Sequence, residues 1–276
     1  MGLGRRDVID WAMVLAVRER GAGRPIVLLP WFGLDGGVTE LAFEPASAEP
    51  NGLRRIYVDL PGTGRSAAVA PSSDAVLEAV RETVDAALGP DPYLLAGCSY
   101  GGYLAAALAR RDPERVQGLL LVCAGTKIRP ADRNLARLAP STPQPHWLDD
   151  VPELLREHFA HGIGRQSRSV AERVRRAFTV NGPSDDVYLG LLRSTGYRLS
   201  DEHAPAVYRG PATLVAGRRD RVVGYLDTFD ALDRYPNASY HALDDAGHYL
   251  PFERPETLAG LVRDWLTRST RSSPAG

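Results

Sequence analysis

The chain has 276 residues, with 33 Lys and Arg against 34 Asp and Glu for a net charge of −1; its basic residues are scattered, which argues against nucleic acid or an anionic membrane surface as partner. With 44 % hydrophobic and 24 % charged side chains it falls in the ordinary globular range and can bury one large core, as one domain with an insertion. Two cysteines, Cys98 and Cys123, exclude a disulfide scaffold, and no apolar stretch reaches the length of a membrane span.

At the N-terminus, MGLGRR has arginine at position 6, where the myristoylation pattern needs serine or threonine. The apolar run over 11–17 follows Asp7 and Asp10 and is stopped by Arg18, so it reads as a strand rather than a signal peptide, and a cytoplasmic location is expected. Short apolar runs predict strands over 13–19, 25–29, 55–59, 93–96, 119–123, 212–216 and 239–243. Helical periodicity lies between them near 73–88, 100–111, 225–235 and 255–268, with Ser72 and Ser73 as candidate caps after Pro71. This alternation is the pattern of an α/β fold, a mostly parallel sheet flanked by helices. It breaks between Thr126 and Tyr208, where helix-like segments follow one another behind a proline-rich loop at 140–152. The expected organisation is a core of 1–125 and 209–276 with a helical cap over 126–208. Cys98 and Cys123 fall at the ends of neighbouring strands and read as reduced, buried small residues. The tail STRSSPAG reads as polar and frayed.

The chemistry is concentrated in PYLLAGCSYGGYLAAALAR, residues 92–110. A strand runs into G-C-S-Y-G and then into a helix, so Ser99 sits in a sharp turn whose flanking Gly97 and Gly101 leave room for close packing. The pentapeptide alone is weak evidence in a chain with 27 glycines; the strand before it and the helix after it carry the assignment. A serine hydroxyl needs a base to take its proton, and that base needs a carboxylate to orient it. Asp220 ends ATLVAGRRD after a candidate strand, and His248 lies in DDAGHYLPFERPE between the last strand and the last helix. Asp244 and Asp245 are competing acids, close to His248 in sequence and better read as ending a strand or capping a turn. His158 and His161 beside Glu157 loosely resemble a metal pair, but a solvated helix face is the better reading, and no metal is expected. GTGRSA at 62–67 satisfies a dinucleotide-type glycine pattern without the βαβ context that pattern requires.

VDLPGTGRS at 58–66, GCSYGG at 97–102, GRRD at 217–220 and AGHYLPFERPE at 246–256, in this order, resemble the motifs of the α/β-hydrolase fold superfamily. The resemblance covers about residues 13–268 except for the cap. It implies Ser99 as nucleophile, His248 as base and Asp220 as acid, with an oxyanion hole from the backbone N–H groups of Tyr100 and Phe32. Where relatives commonly carry His-Gly before the second donor, this chain has Pro30 and Trp31, which leaves Trp31 open to an acyl-pocket role. Trp147, Phe159, Phe178, Tyr188 and Tyr197 are candidates for an apolar pocket wall, the alternative being core. The arginine-rich run at 164–177 is either a solvated helix face or a carboxylate contact. The resulting expectation is a serine hydrolase needing no cofactor, acting on an ester, thioester or lactone of a small to medium apolar acid, with a homodimer as one possible assembly. Alternatives are a lyase, a cyclase or a C–C bond hydrolase using the same triad, or a ligand-binding protein with a vestigial triad.

Overall fold

The computed structural model of the protein describes residues 15–47, 52–135 and 138–271. The MGLGRR segment, positions 13 and 14 of the expected opening strand and the tail beyond 271 lie outside these residues. All seven expected strands form, as β1 (Val17–Arg20), β2 (Arg24–Leu29), β3 (Leu53–Val58), β4 (Tyr93–Cys98), β5 (Val116–Val122), β6 (Ala212–Gly217) and β7 (Ala238–Leu243). They make one sheet in the order β1-β3-β2-β4-β5-β6-β7, parallel except for β1, which runs antiparallel to β3. β4 and β6 are buried at every position, which is why they read as continuous apolar runs: helices cover both faces and no side faces water.

The helices are α1 (Gly36–Ser47), α2 (Ser73–Leu88), α3 (Tyr100–Arg111), α4 (Glu153–Gly162), α5 (Arg168–Val180), α6 (Asp186–Thr195), α7 (Leu226–Asp230), α8 (Leu250–Glu253) and α9 (Pro255–Arg271). Strand residues alternate between two cores. Val27, Leu29, Leu95 and Leu121 pack with residues of α2 and α3, whereas Ile26, Leu28, Leu94 and Leu120 pack with residues of α1 and α9; each such fully buried side chain contributes about 1.5–3 kcal/mol.

α2 starts as expected, with the Ser72 hydroxyl accepting from Ala75 N at 3.2 Å. Ser73 is not a cap but a buried tie, its hydroxyl 2.8 Å from the Tyr100 hydroxyl and donating to Tyr197 O at 2.6 Å. α1 was not anticipated, because two glycines open it and Pro45 lies in its last turn. The signal that marks it is Asp35, whose Oδ1 accepts from Gly37 N and Val38 N at 2.9 and 3.1 Å and so caps the helix. The expected helix over 225–235 is split into α7 and a 3₁₀ turn, Leu232–Arg234. Tertiary bonds override its propensity here: Arg234 O accepts from Tyr208 N at 2.9 Å, and the buried Asp227 side chain accepts from Lys127 Nζ at 2.6 Å and Asn134 N at 2.8 Å.

Between β5 and β6 the chain forms α4, α5, α6 and a short 3₁₀ turn, Pro130–Asp132, with no ladder strand among the described residues beyond an isolated bridge from Thr63 to Ser184. Cys98 and Cys123 are free and fully buried at the ends of adjacent strands, and burial pushes both thiols well up. Among the described residues no helix is long and apolar enough to cross a membrane. Because β2 to β7 are parallel, the loops after β2, β4, β6 and β7 all emerge at one edge of the sheet. β2 and β4 are neighbours whose intervening strand, β3, lies on the far side of β2, so the chain order reverses between them and opens a crevice there.

Candidate active site

Ser99 follows β4 at that crevice. Its backbone has φ 52° and ψ −115°, a conformation that costs a non-glycine residue about 1–3 kcal/mol and persists only where surrounding packing enforces it. The flanking glycines supply the enforcement. A Cβ on Gly97 would stand 2.4 Å from Gly101 O, and one on Gly101 would stand 2.3 Å from Pro30 O, so any side chain at either position would push the turn off the sheet edge. Gly101 N donates to Pro30 O at 2.9 Å, locking the elbow to the loop after β2.

His248 Nδ1 lies 2.9 Å from Asp220 Oδ2, and Asp220 Oδ1 accepts from Val222 N at 2.8 Å and Val223 N at 3.0 Å. Both carboxylate oxygens are therefore committed, and the residue is 1 % exposed, so water does not compete for the imidazole. A proton held on Nδ1 leaves Nε2 as the acceptor. His248 is held from behind by its own N–H, which donates to Gly162 O at 2.7 Å. Of the competing acids, Asp245 instead lies 3.5 Å from Arg165. Ser99 and His248 line one cavity; among the described residues the Ser99 hydroxyl makes no hydrogen bond. Nucleophile–base bonds in unliganded sites are often long and tighten with substrate. The backbone N–H groups of Tyr100 and Phe32 likewise have no partner among the described residues, and Tyr100 is the first residue of α3, where an N–H has no intrahelical acceptor.

Glu253, 1 % exposed, braces the His248 loop. Its carboxyl accepts from Gly247 N at 2.9 Å, Gly164 N at 3.0 Å and Arg165 N at 2.7 Å. Burial pushes its pKa up to about 7, although the three backbone N–H groups pull the other way. The group is raised above its ordinary 4.5, so the folded protein holds more protons than the unfolded chain between about pH 4.5 and 7. Stability from this residue is therefore present in acid and lost as pH rises through that window, by at most about 3 kcal/mol. Glu253→Gln is expected to flatten the fall of melting temperature between pH 5 and 8; equal slopes in the two proteins would contradict it.

The cavity encloses about 340 Å³, in the range of small-molecule sites. Trp31, Phe32, Phe178, Val222 and Val223 form its apolar wall. Trp31 stacks on Phe252 with ring centroids 6.1 Å apart and points its Nε1–H at His248 O, 3.4 Å away. Tyr197 lines the cavity too, T-shaped against Phe32 at 5.2 Å. The other aromatic candidates do not reach it. Trp147 is buried with Val151 and Val170, Phe159 is fully buried behind Phe178 at 5.5 Å, and Tyr188 packs over Gly62. Helical spacing identifies an aromatic stripe but does not say which ring of the stripe ends inside the core.

Four polar cavity residues were not singled out for this place: Arg133, His158, Arg193 and Tyr249. His158, expected on a solvated face, turns its ring toward the cavity, with Nε2 2.5 Å from the Tyr249 hydroxyl. Burial holds its pKa below the ordinary value, with His248, His161 and Arg193 adding to the effect. Among the described residues no group of three or more His, Cys, Asp or Glu could hold a metal. Of the arginine-rich run, Arg168 pairs with Asp150 and Arg175 with Glu172 at the surface, while Arg173 turns inward and donates to Phe252 O at 2.7 Å.

The family described as "Alpha/beta hydrolase family" matches residues 26–261. Among curated proteins the chain is similar to a 2-hydroxy-6-oxononadienedioate/2-hydroxy-6-oxononatrienedioate hydrolase of Burkholderia vietnamiensis, 27 % identical over 79 % of this chain and 77 % of that one. It is also similar to a pimeloyl-[acyl-carrier protein] methyl ester esterase of Aromatoleum aromaticum, 29 % identical over 78 % of this chain and 88 % of that one. Among solved structures, an alpha/beta superfamily hydrolase from Oenococcus oeni superposes with a TM-score of 0.85 at 24 % identity, covering 97 % of this chain and all of that one.

Proposed function

The chain belongs to the alpha/beta hydrolase family of enzymes, and from that premise we propose that it is a serine hydrolase cleaving a carboxylic ester, thioester or lactone through an acyl-enzyme on Ser99. The observation that carries this reading is a serine on a strained, glycine-flanked elbow, sharing one cavity with a histidine whose far nitrogen is bonded to a buried carboxylate. In this mechanism His248 Nε2 takes the Ser99 proton as Oγ attacks the carbonyl carbon, and the Asp220 carboxylate stabilises the imidazolium that forms. The negative charge arising on the carbonyl oxygen is met by the N–H groups of Tyr100 and Phe32, each such donor being worth about 3–4 kcal/mol. Collapse of the tetrahedral adduct breaks the bond to the leaving oxygen or sulfur, which takes the proton from His248. Water, deprotonated by the same imidazole, then releases the acid. Residues 126–208 act as the cap that covers the cavity, and the substrate is a small molecule.

A second reading, C–C bond hydrolysis, is favoured by one of the similar proteins: the name of the Burkholderia hydrolase describes an oxo-dicarboxylate without an ester, so water must cleave a carbon–carbon bond beside the ketone. The same triad and N–H donors serve either bond.

The test is a fluorophosphonate probe followed by peptide mapping, together with a panel of p-nitrophenyl esters. The probe is expected to modify Ser99 and no other serine, and at least one short-chain ester to be turned over. Labelling at Ser99 without ester turnover points to C–C chemistry or to a binding role, and no labelling at Ser99 rules out the nucleophile.

A further inference from the structure

Among the described residues, the cavity that holds Ser99 is lined by Arg133 and Arg193 and by no aspartate or glutamate. Neither guanidinium has a carboxylate partner among the described residues, whereas arginines elsewhere such as Arg111 and Arg268 pair with Asp201 at 2.8 Å and Asp264 at 2.9 Å. Arg133 is held rigidly: its Nε donates to Lys127 O at 3.2 Å, its Nη1 to Val222 O at 2.7 Å and its Nη2 to Ile128 O. These carbonyls fix the plane of the group and leave its full positive charge in place. Arg193, on α6, lies over the Phe32 ring with Cζ 4.4 Å from the centroid, so an aromatic face orients it and its edge remains available for hydrogen bonding. Burial raises the pKa of the Tyr197 phenol, and the Arg133 and Arg193 cations oppose the rise, so both charges lie beside this one hydroxyl. Two cations lining one cavity repel each other, and an anion that enters between them relieves that repulsion.

Resting on the serine hydrolase reading, we infer that Arg193 and Arg133, which line one cavity with Tyr197, form the subsite for an ionised carboxylate on the substrate, so that the enzyme's substrates are esters that carry a second, free acid group. A guanidinium recognises a carboxylate through two parallel N–H···O bonds, a geometry an uncharged ester group does not match. Trp31, Phe178, Val222 and Val223 then receive the apolar chain that separates the acid from the carbonyl. The arginines choose the substrate and hold it in place; the bond is broken at Ser99.

Monomethyl adipate and dimethyl adipate differ only in that one acid group is free in the first, which makes them the test pair. The wild-type protein is expected to prefer the monomethyl ester in kcat/KM by about ten-fold or more. Arg193→Gln is expected to lose about ten-fold more on the monomethyl than on the dimethyl ester, mainly through KM, and Arg193→Lys to recover part of the loss. Arg133 is the poorer first target, because its substitution breaks three contacts to backbone carbonyls. Equal turnover of the two esters by the wild type, or equal losses in the variant, overturns the subsite and leaves the hydrolase reading standing. If neither ester is cleaved, calorimetric titration of adipate decides the subsite separately. Binding to the wild type that Arg193→Gln abolishes supports it; no binding, or undiminished binding to the variant, overturns it.

Discussion

Ser99→Ala is expected to lower kcat for ester hydrolysis by about a million-fold and to abolish fluorophosphonate labelling, with the fold intact. The size of the loss follows from the role: without the hydroxyl there is no acyl-enzyme, and what remains is the contribution of binding and of the N–H donors, about 10³–10⁴ over water. The fold should survive because the Ser99 hydroxyl makes no hydrogen bond among the described residues, and because alanine meets the same strained backbone at φ 52° as serine does. Single-turnover assays with a purified variant, beside a melting curve within about 2 °C of the wild type, make the check. A loss of less than about a hundred-fold would show that another group attacks the substrate.

Asp220→Asn is expected to slow turnover by about 10³–10⁴-fold while changing KM little. Asp220 Oδ1 accepts two backbone N–H groups and Oδ2 accepts from the imidazole. An asparagine has only one acceptor oxygen, and the two fixed donors at Val222 and Val223 claim it. Its NH₂ then faces His248 Nδ1, where it donates instead of accepting. The imidazole must shift its proton to Nε2, the nitrogen that has to receive the Ser99 proton, and the base is lost without any change of volume. Steady-state kinetics and ¹⁵N spectra of the imidazole report the two consequences independently. A variant with near wild-type kcat, or one whose Nδ1 still carries the proton, would remove Asp220 from the mechanism.

The residues in these two predictions are legible in the sequence because each sits in a motif whose physics is local. The elbow is a steric device that spans five residues, and Gly97 and Gly101 advertise it. Asp220 and His248 each follow a short apolar run, and a parallel sheet delivers the residues after its strands to one edge. The missed helix α1 shows the limit of periodicity: Asp35 caps it through two backbone N–H groups, a local signal that its glycines and Pro45 outweighed. The pocket wall was legible only in part. Phe159 and Phe178 are equally apolar residues on helices between β5 and β6, yet one is entirely enclosed and the other faces the cavity. That difference depends on how α4 and α5 settle against the loop after β7. His158 looked like any histidine on a polar helix until the Tyr249 hydroxyl came within 2.5 Å of it.

By itself the amino-acid sequence determined the seven strands in their order, the mostly parallel sheet and the kinds of side chain that follow its strands, because backbone sterics and the two-residue strand period act between neighbours in the chain. The tertiary structure alone decided which side chains enclose the substrate and what charge they present. Arg193 is an unremarkable member of LLRST until Phe32, far away in the chain, comes to lie beneath its guanidinium, and Arg133 becomes a fixed cation only when carbonyls from two separate segments close around it. Such contacts arise from packing between distant segments, which no local pattern of residues encodes.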